Sequence, residues 1–289
     1  MSKIFLKELE NLRELIDKQL YQLLETDKSY QDKVYESIKY SLFSGGKRLR
    51  PIICIKTFNI FNGGTGQVLP YASAIEMIHT YSLIHDDLPS MDDDDLRRGK
   101  SSNHIVFGEA LAILSGDGLL NLAYETMLDD MLSSSRDPID FKRRARAMKI
   151  IAKCSGINGM IGGQVVDLFC NYEDMSRDKL EFMYNAKTSA LFEASVLSGA
   201  ILAGAKEWEI EVMHNFAKYI GLAYQIKDDI LDKDEDKDKF TFFNLDSESD
   251  VNKKMKLLTE DALKELDKLD NRDTSFLKDL TYFLLERKK

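Results

Sequence analysis

The chain has 289 residues, of which 44% are hydrophobic, and its formal net charge is −9. This length and apolar content allow a sizeable core, in one large domain or two small ones. The acidic balance argues against a nucleic-acid partner, because phosphate backbones attract basic surfaces. No run of about 18 apolar residues occurs, so the sequence predicts no membrane span. The three cysteines form no CxxC pair, and we expect them to be core thiols in a reducing cytoplasm.

The chain contains only four prolines, which predicts helix almost throughout. Its first part is predicted to form two helices and a basic turn. Residues 4–24 and 31–43 repeat apolar side chains at helical spacing. The sequence GGKRLRP follows, in which Pro51 suits the first position of the next helix. Lys47 and Arg50 would then lie at a helix N-terminus, where backbone N–H groups favour an anion. The alternative is a basic turn that is simply exposed to solvent.

An acidic helix end is the central feature of the sequence. His79 and Asp86 are two turns apart on a helix that Pro89 must end or bend, and they therefore share one face. Six carboxylates lie close together there: Asp86, Asp87, Asp92, Asp93, Asp94 and Asp95. The cluster is either a solvated acidic loop or a site for hard cations such as Mg2+, which prefer oxygen ligands. We do not expect His85 to bind metal, because its neighbours are oxygen donors.

A second carboxylate group follows far downstream, after a turn-rich connection predicted at residues 133–140. Four polar residues form one stripe of another predicted helix: Gln225, Asp228, Asp229 and Asp232. Two acidic helices that face each other could bind several Mg2+ ions. A diphosphate would be the natural ligand, because Mg2+ usually binds through a few carboxylates plus substrate phosphates.

Several separated motifs together resemble those of one enzyme family. HDDLPSMDDDDLRRGK, DDILD, GGKRLRP and the pair Lys187-Thr188 are similar to motifs of the trans-isoprenyl diphosphate synthases, in particular the short-chain bacterial farnesyl or geranylgeranyl diphosphate synthases. The resemblance extends over about residues 41–245. It implies an all-α fold of the isoprenoid synthase type, with a single large helical domain over residues 1–289 around a central cavity. It also implies a cytoplasmic homodimer.

The resemblance implies a role for each site residue. The residues expected to bind the diphosphate of isopentenyl diphosphate are Lys47, Arg50, His79 and Arg98. Those expected to bind the allylic diphosphate are Arg97, Lys187, Thr188, Gln225 and Lys239, of which the last four are also the expected catalytic residues. The expected Mg2+ ligands are Asp86, Asp92 and Asp228, with three ions bound beside the diphosphate. The loop after Asp232 is about ten residues shorter than in relatives, so we expect closure over the allylic site to differ.

Product length is expected to depend on bulk just before Asp86. Tyr81 lies about 7 Å from Asp86 along the helix axis. In relatives, Tyr followed by Ser, here Tyr81 and Ser82, accompanies farnesyl diphosphate as the main product. We therefore expect farnesyl diphosphate, with geranylgeranyl diphosphate as the alternative product. The sequence is also compatible with a terpene cyclase, which would need no second diphosphate site, and with a non-catalytic partner subunit.

Overall fold

The computed structural model describes residues 2–25, 30–61, 64–233 and 240–286. In these residues the chain forms thirteen α-helices: α1 (Lys3–Leu23), α2 (Asp32–Leu42), α3 (Leu49–Phe61), α4 (Leu69–Asp86), α5 (Asn103–Phe107), α6 (Glu109–Ser134), α7 (Pro138–Ser155), α8 (Met160–Phe169), α9 (Arg177–Tyr184), α10 (Ala190–Leu202), α11 (Glu207–Asp232), α12 (Glu248–Asp267) and α13 (Ser275–Glu286). A short antiparallel hairpin, β1 (Leu96–Arg97) and β2 (Lys100–Ser101), is the one sheet in the described chain. The predicted all-α fold is confirmed. None of the described helices combines the length and hydropathy needed to cross a bilayer.

Helices α4 and α10 form the centre of the fold. Both are apolar around most of their circumference, which is the pattern of a helix buried on all sides. α10 packs against α3, α7 and α11, and α4 packs against α3 and α6. A Cβ on Gly199 of α10 would lie 2.4 Å from the carbonyl oxygen of Cys54 on α3, so glycine permits this close approach. The acidic C-terminal end of α4 is therefore attached to a firmly packed frame.

Helix boundaries differ from the sequence prediction at two places. The connection predicted over residues 133–140 is reduced to 135–137, because α6 continues further and Asp137 caps α7. The Asp137 side chain accepts hydrogen bonds from two backbone N–H groups of the first turn of α7. α3 begins two residues earlier than predicted, so Pro51 occupies its third position. A proline is still tolerated there, because first-turn N–H groups have no partner within the helix.

A π-helical segment (Asn185–Ser189) precedes α10 and carries Lys187 and Thr188. α8 packs closely against this segment at Gly163, where a Cβ would lie 2.2 Å from the backbone nitrogen of Lys187. α11 presses from another side, where a Cβ on Gly221 would lie 2.7 Å from the Ser189 side chain. Segments of this type are frequent at functional sites. The packing fixes the backbone of the segment between α8 and α11.

Candidate active site

A cavity of about 760 Å³ opens at the C-terminal end of α4. Its wall is formed by α4, α8, the π-helical segment and α11. Most of the predicted site residues line it: Arg50, His79, Asp86, Asp92, Arg97, Arg98, Lys187, Thr188, Gln225 and Asp228. The two acidic motifs, which are far apart in the sequence, thus face one space. We call it the large cavity.

The first acidic motif presents Asp86 and Asp92 to the large cavity. After α4 ends, the chain doubles back, and the backbone N–H of Asp92 donates to the carbonyl oxygen of Asp86 at 2.8 Å. Burial raises the pKa of Asp86 to about 6 against the opposing charge of Lys187, and the Asp92 carboxylate adds to the rise. A carboxylate in this state is stabilised in its charged form by a nearby cation.

Asp87 does not line the large cavity and instead anchors Arg97 of β1. Its buried carboxylate accepts a hydrogen bond from Arg97 Nε at 2.8 Å and another from Nη2. Asp94 accepts from the same Nη2 at 2.9 Å. Burial by itself would lower the pKa of Arg97, but the two carboxylates outweigh burial and raise it. Arg97 therefore lines the cavity as a cation whose position is fixed by the protein.

Asp229 of the second acidic motif orients the polar side chains around it. It accepts hydrogen bonds from the hydroxyl of Tyr184 and, at 3.1 Å, from Gln225 Nε2. The amide oxygen of Gln225 accepts from the hydroxyl of Thr188 at 2.7 Å. Burial, and then the charge of Asp229, raise the pKa of Tyr184, so its hydroxyl remains a donor. These contacts fix the side chains of Gln225 and Thr188, while Lys187 of the same segment pairs with a carboxylate of α8.

The donor set of the large cavity fits a hard divalent cation. Asp86, Asp92 and Asp228 bring carboxylate oxygens from two sides. Among the described residues, no three His, Cys, Asp or Glu side chains are close enough to form a metal site by themselves. Mg2+ commonly takes one or two carboxylates and completes its coordination with water and substrate phosphates. The separated carboxylates therefore suit Mg2+ that binds together with a polyanion.

A second cavity, of about 560 Å³, adjoins the first, and we call it the basic cavity. The four residues predicted to bind isopentenyl diphosphate all line it: Lys47, Arg50, His79 and Arg98. Arg13 and Arg48 also contribute, and Glu76 is the one acidic residue in the described part of its wall. Arg50, His79, Arg98 and Tyr224 line both cavities, so the two spaces meet at these side chains.

The loop before α3 determines where Arg98 lies. Gly45 and Gly46 have φ angles of 112° and 123°, in the region that residues with a Cβ rarely adopt. A Cβ on Gly46 would lie 2.7 Å from Arg98 Nη1, and Arg98 donates a hydrogen bond to the carbonyl oxygen of Gly45. The two glycines therefore make room for the Arg98 guanidinium at the edge of the basic cavity.

Arg50 and His79 lie side by side in the wall that the cavities share. Arg50 Nη1 lies 3.5 Å from His79 Nε2, and the guanidinium carbon lies 4.9 Å from the centroid of the Phe192 ring. Burial and the neighbouring guanidinium groups of Arg50 and Arg98 lower the pKa of His79 well below its usual value. The buried Nε of Arg50 has no hydrogen-bond partner among the described residues. The wall thus combines a neutral imidazole with the positive charge of Arg50.

Two other predicted residues, Tyr81 and Ser82, do not line either cavity in the described chain. Tyr81 is buried with its ring 5.8 Å from that of His85, and Ser82 Oγ donates to the carbonyl oxygen of His79. His85 Nε2 lies 3.1 Å from the carbonyl oxygen of Ile113, so this face of α4 packs against α6. The chain-length role of Tyr81 and Ser82 stays a prediction. Lys239 lies outside the described residues.

Two contributors to the site are not predicted from the sequence. Arg48 is buried beneath the basic loop, where it donates to Glu76 at 2.7 Å and to Asp17 at 2.8 Å. A signal for it exists, because Glu76 is an acid between apolar neighbours of α4, and a buried carboxylate needs a partner. Tyr184 has no comparable signal, since its contact with Asp229 depends on how the π-helical segment brings α9 to α11.

The chain matches the model of the polyprenyl synthetase family over residues 31–244. The farnesyl diphosphate synthase of Bacillus subtilis (strain 168) is 44% identical over 208 residues, which cover 72% of this chain and 69% of that protein. The chloroplastic heterodimeric geranylgeranyl pyrophosphate synthase large subunit 1 of Arabidopsis thaliana is 47% identical over 203 residues, which are 69% of this chain but only 54% of that protein, so the match spans about half its length. The crystal structure of an FPP/GFPP synthase from Zymomonas mobilis, 32% identical, superposes with a TM-score of 0.88 over 99% of this chain and 100% of that one. With two acidic motifs facing one cavity and these matches along its length, the chain belongs to the polyprenyl synthetase family.

Proposed function

We propose that the chain is a Mg2+-dependent short-chain trans-prenyltransferase, which joins isopentenyl diphosphate to dimethylallyl or geranyl diphosphate and makes chiefly farnesyl diphosphate. The observation that carries the proposal is the pair of adjoining cavities, which meet at Arg50, His79 and Arg98. A reaction between two diphosphate esters requires two anion sites side by side. The similarity to the farnesyl diphosphate synthase of Bacillus subtilis supports the same reaction.

The allylic diphosphate is assigned to the large cavity. Asp86, Asp92 and Asp228 would bind Mg2+ there, as three ions once the diphosphate is present. Bound Mg2+ would act as a Lewis acid for the charge on the departing diphosphate. Arg97 and Lys187 add fixed positive charge around that group, and Lys239 is proposed to add more. Because such cations are in place before the bond breaks, they stabilise the developing charge more than the ground state.

Thr188 and Gln225 are assigned to the allylic carbon, where positive charge develops as its bond to oxygen breaks. The hydroxyl hydrogen of Thr188 is used in its bond to Gln225, which leaves oxygen lone pairs to face the cation. Tyr184 and Asp229 maintain this arrangement through their own hydrogen bonds. The role of this wall is therefore to present oxygen atoms to a carbocation without offering it a strong nucleophile.

Isopentenyl diphosphate is assigned to the basic cavity, where Lys47, Arg50, His79 and Arg98 would bind its diphosphate directly. Its double bond then attacks the allylic cation, and a carbon–carbon bond replaces the broken carbon–oxygen bond. The resulting cation loses a proton to the released diphosphate, which restores a double bond. The two cavities keep the diphosphates apart while the reacting carbons meet at their junction.

Incubation with Mg2+, isopentenyl diphosphate and either dimethylallyl or geranyl diphosphate, followed by chromatography of the products, tests the proposal. Farnesyl diphosphate is expected from both allylic substrates. Geranylgeranyl diphosphate as the main product would support the alternative synthase. A hydrocarbon made from a single diphosphate would indicate a cyclase, and no turnover by the purified chain alone would indicate a partner subunit.

We also propose that the protein is a homodimer that associates through α5 and α6. These helices expose large apolar side chains: Ile105, Val106, Ile113, Leu114, Leu128 and Leu132. Large exposed apolar patches mark interaction sites. A second copy of the chain would cover it, and light scattering is expected to give twice the chain mass of 33.1 kDa.

A cytoplasmic location completes the proposal. Cys54, Cys154 and Cys170 are all free, as expected in a reducing compartment. Burial raises the pKa of both Cys54 and Cys154 to about 12, so their thiols stay protonated and unreactive.

A further inference from the structure

The rim of the large cavity carries a cation, Lys233, whose ion pair is more exposed than those of Arg97 and Lys187. Three described cavity cations form an ion pair with a carboxylate: Arg97 with Asp87, Lys187 with Asp167, and Lys233 with Glu248. The partner side chain is 4% exposed for Asp87, 26% for Asp167 and 67% for Glu248. An exposed ion pair contributes little to stability, because water screens both charges. Lys233 is therefore the cation of these three that an incoming anion can detach most easily.

Lys233 also lies where an anion bound near the second acidic motif would reach it. It follows the last residue of α11, about one turn beyond Asp228 and Asp229, and it lines the large cavity with them. Its ammonium nitrogen lies 4.8 Å from the centroid of the Phe243 ring, and Phe243 lines the cavity too. An aromatic face attracts a cation without imposing one partner. Lys233 can exchange its partner while it stays on this ring.

We propose that Lys233 is an additional binding residue for the diphosphate of the allylic substrate, and that Glu248 competes with this diphosphate for its ammonium group. The inference rests on the proposed function, which supplies the diphosphate. Glu248 retains Lys233 at the rim when the cavity is empty of anion. A diphosphate carries more charge than a carboxylate, so its oxygens displace Glu248, whose side chain is already largely in water.

Binding of inorganic diphosphate in the presence of Mg2+, measured by isothermal titration calorimetry, distinguishes this competition from a simple link between α11 and α12. Lys233→Gln is expected to weaken binding roughly tenfold, because a charge-assisted hydrogen bond is lost. Glu248→Gln is expected to tighten binding roughly twofold, because the competing carboxylate is removed. The double variant should bind as Lys233→Gln does, and Lys233→Arg should bind as the unchanged chain does.

A matched control is the ion pair between Lys278 and Asp267, which joins α12 to α13 and lines neither cavity. Its length of 2.6 Å and exposures of 35% and 64% are close to the 2.7 Å, 44% and 67% of the Lys233–Glu248 pair. Lys278→Gln and Asp267→Asn are expected to leave diphosphate binding unchanged.

Two results would overturn the inference. One is a Glu248→Gln variant that binds diphosphate more weakly. The other is a Lys233→Gln variant that binds it as well as the unchanged chain, with helices intact by circular dichroism. Either result, in a chain that still condenses the two substrates, would leave the proposed function in place. An unchanged chain that binds no diphosphate at all would contradict both.

Discussion

The two cavities share a wall but are lined in opposite ways. Aspartates and cations both line the large cavity: Asp86, Asp92, Asp167, Asp228 and Asp229 with Arg50, Arg97, Arg98, Lys187 and Lys233. In the basic cavity, Glu76 is the one acid of the described wall, and Arg48 neutralises it. A diphosphate that enters the large cavity meets carboxylates that repel it unless metal ions intervene, whereas one in the basic cavity meets cations directly. The difference implies that the two diphosphates respond separately to metal and to mutation.

Loss of a proposed metal ligand should give the largest effect, and this effect should be confined to the large cavity. Asp228→Asn is expected to lower kcat roughly 10³-fold, because several kcal/mol of stabilisation of the departing diphosphate is lost. Steady-state kinetics with each substrate varied in turn would measure this, and the KM of isopentenyl diphosphate should stay nearly constant.

Asp93→Asn is the matched control for this prediction. Asp93 belongs to the same acidic run, but it is exposed and does not line the large cavity. Its φ of 54° is one that asparagine also tolerates. A loss of activity in Asp93→Asn equal to that in Asp228→Asn would contradict the separate roles of these aspartates.

The next effect should be confined to the basic cavity. Lys47 lines the basic cavity but not the large cavity. Lys47→Gln is therefore expected to raise the KM of isopentenyl diphosphate roughly tenfold, because one charge-assisted hydrogen bond is lost. The kcat and the KM of the allylic substrate should change little. Lys100→Gln, which removes an exposed charge that lines neither cavity, serves as the control in the same assay. Equal rises in the KM of both substrates would show that the cavities are not independent.

The residues that share a face within each acidic motif could be predicted, because helical spacing determines that face. His79 and Asp86 are two turns apart on α4, and both line the large cavity as their shared face requires. Asp228 and Gln225 follow the same rule on α11. Carboxylates that lie this close together repel each other unless cations or water stabilise them. A cation site can therefore be expected before the fold is known.

The choice of partner among neighbouring residues of equal charge could not be predicted. Lys47 and Arg48 are adjacent cations, but Arg48 turns inward to Glu76 with a φ of 50°, while Lys47 stays exposed. Asp87 is likewise adjacent to a cavity aspartate, yet it binds Arg97 and leaves the cavity lining. These differences arise from backbone conformation and from contacts with distant elements, which residue spacing does not contain.

In the proposed reaction, only the allylic substrate in the large cavity carries a growing hydrocarbon. A substitution on the face of α4 that packs against α6 is therefore expected to change product length alone. Tyr81→Ala is expected to lengthen the main product from farnesyl to geranylgeranyl diphosphate, because removal of the ring would open space between α4 and α6. The overall rate should change by no more than about threefold, since the substitution removes no charge or hydrogen bond from either cavity. Chromatography of radiolabelled products measures the shift, and Tyr81→Phe, which keeps the ring, should leave the product unchanged. A product of the same length from Tyr81→Ala would remove Tyr81 from this role.

The smallest effect should come from the wall that the cavities share. In the unfolded chain His79 binds a proton as the pH falls through about 6.5. In the folded chain it does not, because burial and the guanidinium groups of Arg50 and Arg98 keep its pKa well below that value. Protons therefore favour the unfolded state, and the contribution of His79 to stability is complete above about pH 6.5 and declines below it. Urea unfolding at pH 7.5 and 5.5 should show about 1 kcal/mol less acid destabilisation in His79→Gln than in the unchanged chain.

A second histidine gives this prediction a control of opposite sign. His214 lies 3.4 Å from Glu193, and the hydrogen bond between them raises its pKa. Its contribution to stability is therefore present below about pH 6.5 and is lost as the pH rises through the folded-state pKa. His214→Gln should accordingly increase acid destabilisation where His79→Gln reduces it. If His79→Gln increased acid destabilisation as His214→Gln does, the neutral state of the imidazole between the two cavities would be contradicted, and with it the view that arginine rather than histidine supplies the positive charge of this wall.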